Sequence, residues 1–416
     1  MSPKTGPFRL LTVLANNRPL QVLWFGDLIS VFGNVATSVA LPLYTLQLTG
    51  SPGLMGLAVA VQWVPGLFVR LLAGVLIDRT DRRKLLIAVS LLQALPPLAI
   101  VLVKNLPLLY LVIFLAGMLQ QVVFPALFSV LPQVAGKDNL LPANALFSAS
   151  RTFSQILGAS LAGVIVGFWG AKWVFFVDAA SFVVFGLLLL GLPGLPASPG
   201  TTRRRLLADL RAGLVFAVSQ PTVRAICILA LLGMFLVSSS AMAMVVLCTR
   251  QWGVGAVGYG VLSTAGAVGA LAASVSVGSW GDRFAQTRLV VGGFLVKCLS
   301  ILALGLIPAY ALALPVRVLV GGAMPVWNVP LDAYLQKNVA PDMLGRVYSL
   351  TGISVSLGTV LGSLTGGPVA EYFGPRALLL GAGLVAATGL ALVARLLRPI
   401  DVREVKTLEA QLSAGG

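Results

Sequence analysis

The sequence predicts an all-α membrane protein of twelve transmembrane helices in two pseudo-symmetric six-helix bundles, and three observations predict it. Hydrophobic residues make up 58% of the 416 residues and charged ones 10%, with a mean hydropathy of +0.96. Soluble domains carry about 25% charged residues. Apolar runs recur along the chain, and at some twenty residues per crossing of about 30 Å of hydrocarbon there is room for roughly a dozen spans. A charged turn, GVLIDRTDRRK from Gly74 to Lys84, separates two of these runs and returns in weaker form as GSWGDR from Gly278 to Arg283. Gly74, Asp78 and Arg79 recur 204 residues later as Gly278, Asp282 and Arg283. At the same offset Gly56, Gly117, Gly158 and Gly170 meet Gly260, Gly321, Gly362 and Gly374. A register held without a gap across five spans reads as an internal duplication.

Taken in order, a basic arm over residues 1–19 leads into a first bundle over residues 20–192. Span 1 is predicted over about Leu20–Leu48, and TGSPG turns the chain into span 2, about Gly53–Ile77. After the charged turn come span 3 to about Val103, span 4 over Leu106–Leu131, span 5 over Leu140–Phe168 and span 6 over Lys172–Leu192. Residues 193–224 break the pattern. Pro, Gly and Ser give way to Arg203, Arg204 and Arg205 and then to LLADLRAGLVFAV, which reads as a linker holding a helix at the membrane surface. The second bundle, residues 225–397, repeats the scheme with spans at about Ala225–Cys248, Gly258–Val277, Leu289–Ile307, Tyr310–Leu335, Leu344–Ala370 and Arg376–Leu397. A polar tail, residues 398–416, ends the chain. Pro65, Pro96, Pro97, Pro125, Pro325 and Pro330 fall inside spans, where kinks are tolerated if neighbours re-satisfy the backbone.

The formal net charge of +16 would point to nucleic acid in a soluble protein, but here most of the Lys and Arg sit between apolar runs. Of the 29, four lie within spans (Arg70, Arg151, Lys297, Arg317) and four fall on one face (Lys104, Lys172, Arg250, Arg376). The remaining 21 share the face of the termini, which predicts both termini in the cytoplasm. Cys227, Cys248 and Cys298 all lie in apolar runs and there is no His, so neither a disulfide framework nor a metal site is expected. No Ser/His/Asp set and no GxxxxGK[ST] loop is present, so no enzyme and no cofactor are expected. The N-terminus lacks the short apolar core and cleavage site of a signal peptide, so span 1 is expected to be retained.

Twelve spans in two halves, a GxxxDRxxRRK turn after span 2 and a degenerate copy after span 8 resemble the major facilitator superfamily, whose halves are parallel repeats around a central site. Thr49-Gly50-Ser51 after span 1, Asp178-Ala179-Ala180-Ser181-Phe182 in span 6 and Gly345-Arg346-Val347 entering span 11 are similar to the subgroup of siderophore exporters of the enterobactin type and macrolide efflux pumps. Two departures stand out. Asp81 takes the place of the family's Gly, and Gly158 is followed by Ala159 rather than Pro. The resemblance implies proton-coupled efflux of an amphiphilic drug, macrolide or siderophore by alternating access in a bacterial inner membrane. It implies a monomer with membrane lipids, protons and a small substrate as partners and no nucleic acid. A lipid or lysolipid translocator on the same fold, or a receptor or scaffold that no longer transports, are the alternatives.

Intramembrane ionisable residues are functional candidates because each is costly in lipid. Asp27 and Arg70 lie seven residues into spans 1 and 2 from the same face, roughly 10 Å deep at about 1.5 Å per residue. They are read as either a static ion pair or a proton-coupling pair. The charged turn serves topology alone or acts as a latch. By resemblance the latch comprises Gly74, Asp78, Arg79, Arg82 and Arg83, with Asp282 and Arg283 in the second copy, and Asp78 faces the start of span 11 near Arg346. Arg151 and Lys297, near mid-depth, either face a cavity that takes an anionic substrate or pair with a carboxylate. Asp178 is given a packing role. By resemblance spans 1, 4, 7 and 10 line the cavity, with Asn34, Gln121, Phe124, Met242, Trp327 and Asn328 as substrate-contact candidates.

Overall fold

The computed structural model describes residues 13–69, 73, 76–77, 80–136, 139–194, 220–280, 284–339, 341–394 and 396. Among these, eleven helices are long and apolar enough to cross a membrane, and a shorter apolar helix covers Pro52–Leu67. Together they occupy the twelve predicted positions. Large apolar side chains such as Leu102, Phe168 and Leu392 are left exposed along them, as lipid-facing positions require.

Helix boundaries follow local chemistry. Span 1, Arg18–Thr49, starts where the Asn17 side chain accepts from Leu20 N at 3.0 Å. It stops at Gly50, whose φ of +66° closes the helix through its N–H on Leu46 O. Span 2 begins at Pro52 and runs to Trp63, where Pro65 converts it to a 3₁₀ turn over Val64–Leu67. Span 3 is two helices, Arg82–Gln93 and Leu95–Leu102, broken at Ala94 just before Pro96 and Pro97. Spans 4 to 6 are Leu106–Ala135, Leu140–Phe168 and Ala171–Leu188. Span 7, Pro221–Val246, ends in a π-helical turn over Leu247–Gln251. Spans 8 to 12 are Gly255–Trp280, Gln286–Leu306, Tyr310–Asn338, Pro341–Tyr372 and Pro375–Val393. The predicted surface helix of the linker lies outside the described residues.

The described residues fall into two compact units. The first lies within Met1–Gly50, Leu57–Arg204 and Val254–Thr264, the second within Ser51–Gly56, Arg205–Gly253 and Ala265–Gly416. Span 2 therefore starts in the second unit and continues in the first, and span 8 does the reverse. The glycines explain these memberships. In the second unit a Cβ on Gly56 would strike the Ser363 carbonyl oxygen and lie 3.0 Å from Gly367 Cα. In the first, a Cβ on Gly260 would lie 2.9 Å from the Ala159 oxygen and 2.8 Å from Gly163 Cα. Ala159 and Gly163 are Ser363 and Gly367 moved back by the repeat of 204 residues. A second pair obeys the same rule: Gly117 faces the backbone of Gln62 in the first unit, and Gly321 that of Gly266 in the second. The duplication read from glycine spacing thus recurs as duplicated backbone approaches, which small residues permit.

Inside the first unit, Leu20, Leu23, Leu86, Leu127, Phe147 and Phe185 form one buried cluster. The break in span 3 is packed as well, with Ala94 against Ala179 and Phe182 of span 6. In the second unit spans 7 and 11 approach through Gly358 and Gly362, and the hydroxyls of Ser238 and Ser363 share a hydrogen bond.

Candidate functional site

Asp27 is buried in span 1, with 4% of its surface exposed. Gly26 beside it leaves the space that the Phe185 ring occupies, which brings span 1 and span 6 together at this depth. The carboxylate is held by Arg151 of span 5, whose Nη2 donates to Oδ1 at 3.0 Å and whose Nε donates to Oδ2 at 3.3 Å. This fork-on-fork geometry is the strong form of an ion pair. The guanidinium carbon also stands 4.6 Å from the centre of the Phe124 ring and 5.2 Å from that of Phe128, two rings packed together on span 4. Of the two sequence-based options for Arg151, pairing with a carboxylate is the one observed. Phe124 serves it as an aromatic platform and remains half exposed. Arg70, the expected partner of Asp27, lies outside the described residues.

The substrate-contact candidates divide by unit. In the first, Asn34 Nδ2 donates to Ser30 O, and Asn34 Oδ1 accepts from Gln120 Nε2 at 3.3 Å, linking spans 1 and 4. Gln121 is buried. In the second, Lys297, Trp327 and Met242 are buried. Lys297 is 1% exposed, and its Nζ donates to Gly233 O at 3.1 Å and lies 5.6 Å from the Trp327 ring centre. Trp327 packs edge-on against Phe294 and over Gly233, which has no side chain to hold it off. A lysine at this depth finds a backbone carbonyl and a ring face inside the unit, so it is turned inward. Asn328 Nδ2 donates to Asp332 Oδ2, one turn along span 10, at 3.4 Å.

Of the latch residues, Arg82, Arg83 and Arg346 are described. Arg82 Nη1 donates to Ser129 O of span 4 at 3.1 Å, and Arg83 Nη2 donates to Leu190 O after span 6 at 2.6 Å. Both arginines fasten span 3 to its own unit, because exposed carbonyls at the neighbouring helix ends lie within their reach. Gly74, Asp78, Arg79, Asp282 and Arg283 lie outside the described residues, and Arg346 is half-buried at the start of span 11.

Two acidic residues, Asp81 and Glu371, gain roles that the sequence did not reveal, and Asp178 gains a partner. Asp81 caps span 3, its side chain accepting from Lys84 N at 3.0 Å. An Asp directly before the basic start of a helix was the available signal. Glu371, at the end of span 11, accepts from Ser51 Oγ at 2.7 Å and Gly53 N at 2.8 Å, placing a carboxylate on the first turn of span 2. Ser51-Pro52 marked that helix start, but nothing in the spacing named Glu371. Asp178 is 2% exposed and accepts from Thr37 Oγ1 through Oδ2 at 2.6 Å, a bond between spans 6 and 1. It also borders a cavity of about 30 Å³ within the first unit, whose polar lining is Asn34, Thr37, Gln62, Gln93, Gln120 and Asp178.

Comparison with known proteins agrees with this architecture. The family of transmembrane secretion effectors matches residues 13–414. The enterobactin exporter EntS of Escherichia coli O6:K15:H31 is 24% identical over 414 residues, covering 98% of each chain. EntS of Citrobacter koseri is 25% identical over 393 residues, covering 93% of this chain and 92% of its own. Among solved structures, the nucleoside transporter NupG superposes with a TM-score of 0.75 at 14% identity, over 90% of this chain and 98% of that one. The membrane-spanning helices, the repeated helix contacts and a match over nearly the whole length agree: the chain belongs to the transmembrane secretion effector family, and is a major facilitator superfamily transporter, not an enzyme.

Proposed function

We propose that this transporter expels an amphiphilic organic compound in exchange for protons, by alternating access, from a bacterial inner membrane with both termini in the cytoplasm. The Asp27–Arg151 pair carries the reading. A carboxylate buried in span 1 is balanced by a single fork of hydrogen bonds from span 5. Protonating Asp27 removes one charge of the pair and leaves Arg151 to find another partner. Any change that separates spans 1 and 5 favours proton uptake for the same reason. Proton binding and helix rearrangement are thereby two descriptions of one equilibrium.

The substrate class follows the relatives, which are enterobactin exporters, and the mostly apolar cavity wall expected from the sequence. The working unit is a monomer in lipid. Residues 193–224 join bundles 20–192 and 225–397, and Asp78 with its neighbours latches one state.

The experiment is efflux from proteoliposomes under an imposed pH gradient, run over a panel of catecholates, macrolides, cationic dyes and labelled lysolipid. Flux of an amphiphilic organic compound that collapses with the gradient is the expected result. Gradient-independent movement of lysolipid alone would replace this reading with a lipid translocator.

A further inference from the structure

Asp178 has one oxygen accounted for and one not. Oδ2 accepts from Thr37 Oγ1 at 2.6 Å, whereas Oδ1 is buried without a hydrogen-bond partner. Ser181 Oγ is close by, but it gives its proton to the Asp178 carbonyl at 2.7 Å. Gln93, which lines the same small cavity, has its Oε1 buried without a hydrogen-bond partner as well.

No cation answers the charge of Asp178 among the described residues. On the helices packed against span 6, the titratable and charged groups have other recorded partners. Asp27 of span 1 and Arg151 of span 5 hold each other, and Tyr44 donates to Ile100 O. Arg82 and Arg83 of span 3 reach Ser129 O and Leu190 O, while Arg18 of span 1, Lys84 and, on span 6 itself, Lys172 are exposed. An unpaired carboxylate in hydrocarbon is carried as the neutral acid or with a bound cation.

The geometry decides between these. A Cβ on Gly33 would lie 2.5 Å from Asp178 Oδ1 and 2.5 Å from Ser181 Oγ, so the carboxyl is pressed against span 1 on that side. A metal cation needs several oxygens around it, and the backbone of span 1 fills that side of Oδ1. A proton needs only one oxygen. Placed on Oδ1 it cancels the charge and makes a donor of an orphan acceptor. At about 30 Å³ the cavity has room for a water or two, which Asn34, Gln62 and Gln120 are placed to hold.

We propose that Asp178 is a second proton-binding carboxylate of the first unit, separate from the Asp27–Arg151 pair and served by its own polar cavity. Thr37, the residue that binds it, lies ten positions beyond Asp27 on span 1, about 15 Å along the helix. Its use in transport rests on the proton-coupled reading above; the binding of the proton does not.

The test is infrared spectroscopy of the full-length protein in nanodiscs at neutral pH, in H₂O and in D₂O. The expected spectrum has the carbonyl stretch of a protonated carboxylic acid. That band is lost in Asp178→Asn, kept in Asp27→Asn and shifted down within minutes of transfer to D₂O. A band unchanged in Asp178→Asn, or one that does not exchange with D₂O over hours, overturns the proposal. Binding of ²²Na⁺ that disappears in Asp178→Asn overturns it too, by putting a metal cation where the proton is assigned. Should Asp178→Asn fail to fold, Thr37→Val decides: losing the hydroxyl on Oδ2 must move the band to higher frequency, and an unmoved band counts against the assignment. Loss of gradient-driven efflux in Asp27→Asn bears only on the transport reading, so the two can fail separately.

Discussion

Arg151 sits over two phenylalanine rings with both ends of its fork on Asp27, and this arrangement makes each partner dependent on the other. Removing one member of a buried pair strands the remaining charge, at a cost of about 3–5 kcal/mol, while removing both is far milder. Thermal unfolding in detergent should therefore rank Arg151→Gln well below the wild type, with the double variant Asp27→Asn/Arg151→Gln recovering most of the loss. Equal destabilisation by the single and double variants would mean that the two residues do not act as a pair. Asp27 was legible in the sequence because a carboxylate inside an apolar run has no ordinary reason to be there. Its partner was not, because residue counting gives depth along a helix and leaves open which neighbouring helix a side chain faces. The inward turn of Lys297 escaped the sequence for the same reason, since it depends on Gly233 leaving a carbonyl and the Trp327 ring within reach.

At the scale of elements, boundaries and close approaches carry the fold. Asp81→Ala removes the cap of span 3 and should cost about 1 kcal/mol in thermal stability. Gly117→Ala and Gly321→Ala each push a methyl group into a neighbouring backbone, and each should cost about 1–3 kcal/mol. Gly292→Ala, with open space around it, should cost nothing measurable. Equal melting temperatures for all three glycine variants would refute this account of the repeat. Glu371→Gln keeps a neutral acceptor on Ser51 and Gly53 N but gives up the charge, so amide exchange in the first turn of span 2 should quicken about tenfold by mass spectrometry. The twelve spans themselves were plain from apolar run length, and Pro65, Pro96 and Pro97 announced the breaks in spans 2 and 3. What the sequence hid was the sharing of span tips between units, which depends on glycines meeting carbonyls far along the chain.

For the molecule as a whole, the repeat of 204 residues is legible twice, as spacing in the sequence and as backbone approaches in each unit. A duplicated bundle is suited to alternate between two arrangements, provided something ties that alternation to an energy source. The Asp27–Arg151 pair is assigned that task, and its most direct test separates exchange from net transport in one preparation. Proteoliposomes holding Asp27→Asn should still exchange labelled for unlabelled substrate when no gradient is present. They should lose at least tenfold of the net flux that a pH gradient drives in the wild type. Wild-type net flux in a well-folded Asp27→Asn protein would contradict the account.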